Sequence, residues 1–172
     1  KYPIKNSNKY LTVATTRPET MLGDTGVAVN PEDKRYIALI GKKIILPIVG
    51  KEIPIFSDQY VDKEFGTGCV KITPAHDPND LEMAQRHNLE IINIMNDDAT
   101  LNNNVPNEYE GLDRFEARKK VVQKLSQLGL IEKIEDYKNK VGFSERTNVV
   151  IEPRISKQWF MKMEKLVDPA LK

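Results

Sequence analysis

The sequence predicts a mixed α/β domain with a barrel-like sheet core and helices around it. Three observations carry that expectation. Short β-type runs recur between Gly and Pro residues up to Thr73. Two later segments open with helix-start signals and continue with apolar residues at helical spacing. At 172 residues, the chain is long enough for one domain with its own core.

Tyr10 to Ala14 alternates toward a β-branched run and ends in Thr15-Thr16-Arg17-Pro18, where the proline keeps Arg17 out of helical geometry. A strand therefore runs into a turn. Thr25 to Val29 is a second short strand closed by Asn30-Pro31, and Pro31 to Ala38 is predicted as a short helix. Ile44 to Leu46, Glu52 to Ile55 and Cys69 to Thr73 are further strands. Asp77-Pro78-Asn79-Asp80 supplies an N-cap residue, a proline at the first helical position and an acid at the third, ahead of Leu81, Met83, Ala84 and His87. Ile91 to Met95 is predicted as a strand and the asparagine-rich stretch Asn96 to Asn107 as a surface loop. A second capping box, Asp113-Arg114-Phe115-Glu116, starts a helix whose stripe of Phe115, Val122, Leu125 and Leu128 is expected to face the sheet, with Gly129 as its stop. The tail from Val149 carries Trp159, Phe160, Met161 and Met163, apolar surface that either folds back onto the body or lies against a neighbour.

Composition narrows the function classes. A hydrophobic share of 40% with 30% charged residues is that of a folded globular chain. No run approaches the ~18 apolar residues of a membrane span, and Lys1-Tyr2-Pro3-Ile4 lacks the apolar core of a secretory signal. Both point to a cytoplasmic protein without a membrane partner. The single cysteine, Cys69, cannot form an internal disulfide, and with His76 and His87 alone beside it no Cys/His zinc set exists. Neither a metal nor a cofactor is expected. A net charge of +1 is far from the footprint of a protein that grips many phosphates, so any RNA contact by this segment alone should be weak. The absence of an initiator methionine fits a segment of a longer chain.

Two clusters carry candidate chemistry. Thr15-Thr16-Arg17-Pro18-Glu19-Thr20 places three hydroxyls and a guanidinium on a strand end and turn, a rim able to hold a ribose or phosphate. Gly66 through Asp80 runs from a glycine-rich bend through a strand into a helix start. Strand alternation puts Lys71 and Thr73 on one face and Val70 and Ile72 on the other. Asp77 and Asp80, three apart, face one region. Taken singly, each has a plainer explanation: Asp77 as N-cap, Asp80 as its reciprocal partner, Lys71 as a solvated strand residue, Cys69 and His76 as packing. Together they gather a cation, two carboxylates and a hydroxyl near one helix start, where titrating groups tend to be perturbed.

These two segments resemble the editing insertion (connective polypeptide 1) of class I aminoacyl-tRNA synthetases. The string Lys71-Ile72-Thr73-Pro74-Ala75-His76-Asp77-Pro78-Asn79-Asp80 is similar to the form found in the valine enzymes. Leu46-Pro47, Ile53-Pro54-Ile55, Asp58-Gln59-Tyr60-Val61-Asp62 and Ile151-Glu152-Pro153-Arg154-Ile155-Ser156-Lys157-Gln158-Trp159-Phe160 extend the resemblance over nearly the whole chain. Cys69 departs from it, standing where alanine is common. The His-Ile-Gly-His and Lys-Met-Ser-Lys-Ser type signatures for ATP are absent, so amino-acid activation is not expected of this chain.

The resemblance implies the editing-domain fold over residues 1–150 and a segment, 151–172, returning toward a catalytic domain. It implies hydrolysis of threonine wrongly attached to the valine tRNA. The partners would be the aminoacylated 3′ end, threonyl-adenylate as a further substrate, and the remainder of the synthetase. Valine enzymes reject threonine by only ~10²-fold at the synthetic site, an established value for that class, so a second site that reads the hydroxyl is needed. In this carry-over Asp80, Lys71 and Asp77 are catalytic. Asp80 holds the substrate ammonium, Asp77 reads the threonine hydroxyl, and Lys71 stabilises the tetrahedral intermediate or holds the substrate. Thr15, Thr16, Arg17, Thr20, Thr73 and His76 line the pocket, and Phe65 supplies an apolar wall. The rivals are an isoleucine- or leucine-type editing domain and a non-catalytic module that holds a tRNA end.

Overall fold

A computed structural model describes residues 1–163 and Val167. Its strands are Tyr2–Pro3 (β1), Tyr10–Leu11 (β2), Gly26–Val29 (β3), Lys43–Ile45 (β4), Glu52–Ser57 (β5) and Cys69–Ile72 (β6), and its α-helices are Pro78–His87 (α1) and Arg114–Gln127 (α2). Two 3-10 turns, Pro18–Gly23 and Ile37–Leu39, complete the regular elements.

The chain is mixed α/β, as expected. Four strands pair in the order β4-β5-β3-β6, with β3 parallel to β5 and antiparallel to β6. An Ile4↔Ile44 bridge joins the β1–β2 pair to the β4 edge. Among the described residues the sheet stays open and no barrel closes, because β6 has β3 as its one strand partner.

β3 is central because Gly26-Val27-Ala28-Val29 is apolar on both faces and wholly buried. Its alternation divides the core. Val27 and Val29 join the large cluster with Leu11, Met21, Ile44, Ile53 and Ile55. Ala28 faces the other way, onto Val61, Ile72 and Met83 of α1. Ile72 thus anchors α1 against the sheet and fixes where that helix begins.

Helix starts follow their caps. Asp77 accepts from the N–H groups of Asn79 and Asp80, and α1 ends at Asn88 in the left-handed region, φ +52°. Asp113 accepts from Phe115 N–H to open α2. The expected stripe of α2 is displaced. Ala117 and Val121 are buried with Leu125 packed beside them, while Phe115 and Leu128 are exposed. The helix packs on the Pro18–Gly23 turn, where small residues permit close approach and Arg118 grips buried Glu19 through two hydrogen bonds of 2.6 and 2.7 Å. The Phe115 ring lies instead beneath the guanidinium groups of Arg114 and Arg118.

Three further expectations are corrected. Pro31 to Ala38 is no α-helix: Asn30 accepts from Glu32 N–H and Asp33 from Arg35 N–H, which diverts the backbone donors into side-chain turns. Tyr10 to Ala14 pairs through its first two residues alone, and Ile91 to Met95 has a single bridge, Met95↔Leu101. The tail divides: Glu152, Pro153 and Ile155 fold back onto the body, while Trp159 and Phe160 are 102% and 89% exposed. From position 164 onward the expected return segment lies outside the described residues, Val167 excepted.

Candidate functional site

Pairing of β3 with β6 brings two distant segments together. Gly26 opposes Ile72, and Thr25 N–H donates to Ile72 O at 2.9 Å, so Asp24 just before β3 lies beside Thr73 just after β6. Asp24 is fully buried. Its Oδ1 accepts from Thr73 Oγ1 at 2.6 Å and from Lys71 Nζ at 3.1 Å, and its Oδ2 accepts from the Tyr2 hydroxyl at 2.6 Å. Burial pushes the Asp24 carboxyl above its ordinary range, against the pull of Lys71 and these hydrogen bonds. Lys71 also donates to Thr20 Oγ1 at 3.0 Å and to Thr73 Oγ1. The strand alternation is therefore as expected, with Lys71 and Thr73 on one face.

Asp80 meets the cluster from α1. Its Oδ2 accepts from Thr73 N–H at 2.8 Å, so it does not turn back to Asp77 as a reciprocal cap would. No hydrogen bond from the described residues reaches Oδ1. Burial pushes the Asp80 carboxyl up to about 6, opposed by Thr73 and Lys71 and reinforced by the charges of Asp77 and Asp24. Asp77 uses Oδ1 alone for its cap, at 2.8 Å from Asn79 N and 3.3 Å from Asp80 N.

Arg17 closes the far end of the same segment. Its Nη1 donates to His76 O at 3.0 Å and its Nη2 pairs with Glu152, which also accepts from Arg114 Nη1 at 3.2 Å. Burial draws the Arg17 guanidinium down from its ordinary value, while Glu19 and Asp77 support its charge. Thr20 is buried and donates to Arg17 O at 3.0 Å. Thr15 is exposed and accepts from Arg17 N–H, and Thr16 is exposed with no hydrogen bond among the described residues.

His76 is fully buried. Nε2 takes the Ile94 N–H at 3.1 Å, which leaves the proton on Nδ1 to be donated to Pro153 O at 3.3 Å. Both ring nitrogens serve the backbone, and burial holds the imidazole down to about 4. Phe65 stands apart, 68% exposed on the turn before β6. That turn depends on Gly68 at φ +73°, where a Cβ would meet Arg35 Nη2 at 2.5 Å.

The arrangement can hold a cationic ligand at Asp80 and a hydroxyl donor at Asp77, beside a fixed ammonium. Asp24, Tyr2 and Glu152 are the members that residue patterns did not single out. The one local signal was an acid placed two residues before the fully apolar β3. Among the described residues no group of three or more His, Cys, Asp or Glu could hold a metal.

The family model for the leucyl-tRNA synthetase editing domain matches residues 33–126. The chain belongs to this editing-domain family. Valine–tRNA ligases are its similar curated relatives. It is 58% identical to that of Francisella tularensis strain SCHU S4 and 59% to that of Carboxydothermus hydrogenoformans, each over 170 residues and 99% of this chain. It is 57% identical to that of Thermotoga maritima over 171 residues. The editing domain spans 18%, 19% and 20% of those relatives' lengths. Two solved structures share its fold. The Agrobacterium radiobacter K84 leucyl-tRNA synthetase, in a ternary complex with tRNA and LeuAMS, aligns over 74% of this chain and 18% of its own at a TM-score of 0.57 and 21% identity. The isolated GlLeuRS-CP1 aligns over 75% and 83% at 0.56 and 13%.

Proposed function

We propose that this editing domain hydrolyses threonine from mischarged valine tRNA, as part of a longer valine–tRNA ligase. The observation that carries the proposal is Asp80. It is a buried carboxylate with one oxygen fixed by Thr73 N–H and the other without a hydrogen-bond partner among the described residues, next to the Lys71–Asp24 pair. Such a group suits the α-ammonium of an aminoacyl ester, as a charge-assisted hydrogen bond in a water-poor site. Relatives of 57–59% identity that are all valine–tRNA ligases support the valine form.

Asp77 then reads the threonine hydroxyl through Oδ2, since its Oδ1 serves the helix cap. A site that leaves this acceptor unpaired when valine enters can discriminate by roughly 10⁴-fold or more. The exposed Thr15 and Thr16 are the groups assigned to the terminal adenosine, and Phe65, apart on the turn before β6, takes no role in this reading. Threonyl-adenylate fits the same groups, and the remainder of the synthetase delivers the tRNA end.

The test is release of threonine from threonyl-tRNA for valine, measured in the full-length ligase. Asp80→Ala should abolish it. An unchanged rate removes Asp80 from the mechanism, and turnover that is absent in the parent leaves only a module that holds a tRNA end. Asp77→Ala should erode the preference for threonine over valine, so a slower but equally selective variant refutes its role as reader.

A further inference from the structure

Lys71 has no proton left for a reacting oxygen. Its ammonium carries three donors, and they go to Thr20 Oγ1, Asp24 Oδ1 and Thr73 Oγ1. Each acceptor is fixed in turn. Thr20 donates to Arg17 O, the Thr73 hydroxyl donates to Asp24, and the second Asp24 oxygen is capped by Tyr2. The same Thr73 presents its N–H to Asp80. One hydrogen-bonded network thus runs from Tyr2 on β1 through Asp24 to Lys71 and Thr73 on the β6 end, and on to the carboxylate at the start of α1.

We propose that Asp24 is a positioning residue for the editing reaction, holding Lys71 and Thr73 from beneath so that Asp80 is presented in one orientation. The inference rests on the hydrolysis proposed above. Asp24 is fully buried and acts through the groups it binds. Lys71 correspondingly serves as a fixed cation that holds the floor of the site and supports the charge of Asp80, instead of donating to the tetrahedral intermediate. A buried ion pair is a poor source of stability compared with apolar packing of the same volume, so its service here is geometric.

Two readouts test it. In the 172-residue chain, amine labelling with acetic anhydride followed by mass spectrometry compares Lys71 with exposed Lys133. Lys71 should label slowly in the parent and at least about tenfold faster in Asp24→Asn, the worth of one hydrogen bond to a charged group. In the full-length ligase, Asp24→Asn should lower kcat for threonyl-tRNA release by about a hundredfold with KM nearly unchanged. Because Asp24 acts through Lys71 and Thr73, adding Asp24→Asn to Lys71→Met should cost clearly less than the product of the two single losses. Losses that multiply in the double variant, or Lys71 labelling that stays slow in folded Asp24→Asn, overturn the proposal. If Asp24→Asn does not fold, Tyr2→Phe removes a single hydrogen bond and should still speed Lys71 labelling; an unchanged rate there also overturns it. A parent that releases no threonine defeats the hydrolytic function, while labelling still decides whether Asp24 holds Lys71.

Discussion

Asp80 and His76 pull stability in opposite directions over one span of pH. The Asp80 carboxyl sits at about 6 in the fold against an ordinary 3.8, so the folded state favours its protonated form. Its contribution is full below about pH 4 and is lost as pH rises through about 6, a change of about 3 kcal/mol. His76 sits at about 4 against 6.5, so its contribution is full above pH 6.5 and is lost as pH falls through about 4, by a similar amount. In the parent the two trends largely offset each other. Asp80→Asn keeps an oxygen for Thr73 N–H and removes the ionisation cost, so this variant should be more stable than the parent at pH 7.5 while failing to hydrolyse threonyl-tRNA. Its stability should then fall steadily from pH 6.5 to 4 with His76 alone. Urea denaturation at pH 7.5, 5.5 and 4 checks both statements, and a variant weaker than the parent at pH 7.5 contradicts the burial argument.

The contact between α2 and the Pro18–Gly23 turn turns on one ion pair. Glu19 is fully buried and Arg118 answers it with two hydrogen bonds. Arg118→Met should destabilise the fold by about 2 kcal/mol, below the range for fully buried pairs because a third of the Arg118 side chain meets water. Adding Glu19→Gln should restore part of that loss, and two denaturation curves decide it. The same pair shows which features were legible in the residue pattern. The starts of α1 and α2 were, because Asp77 and Asp113 bond N–H groups two or three positions away, and so was the shared face of Lys71 and Thr73, which needs nothing beyond strand alternation. The stripe of α2 was not. Ala117 is buried over Phe115 because the partner surface is a tight turn carrying Glu19, and nothing local to the helix encodes that. Pro31 to Ala38 was misjudged for the opposite reason, since the Asn30 and Asp33 side chains outcompete the helix with bonds two residues long. Glu152 became visible only through tertiary pairing, and Asp24 had no local mark beyond its place ahead of the apolar β3.

The segment from Val150 to Ile155 belongs to the frame of the site. Val150 O and Glu152 engage Arg114, Glu152 pairs with Arg17, Pro153 O receives the His76 Nδ1 proton, and Ile155 N–H donates to Ala75 O at 3.0 Å. These contacts fasten the Ala75–His76 end of the Thr73–His76 stretch, whose Thr73 end carries the Asp80 bond. A chain cut after residue 150 leaves half-buried Arg17 and buried Arg114 without their carboxylate and His76 without its acceptor. A chain cut after residue 156 keeps all of them and, among the described residues, gives up the exposed Trp159 and Phe160. Stranding a buried charge costs about 3 kcal/mol, which for a domain of this size lowers Tm by roughly 6–12 °C. The shorter chain should melt lower by that amount than the longer one, and the longer one should match the 172-residue chain. Thermal scans of the three chains measure it, and equal melting points for the two truncations would place these contacts outside the cooperative fold.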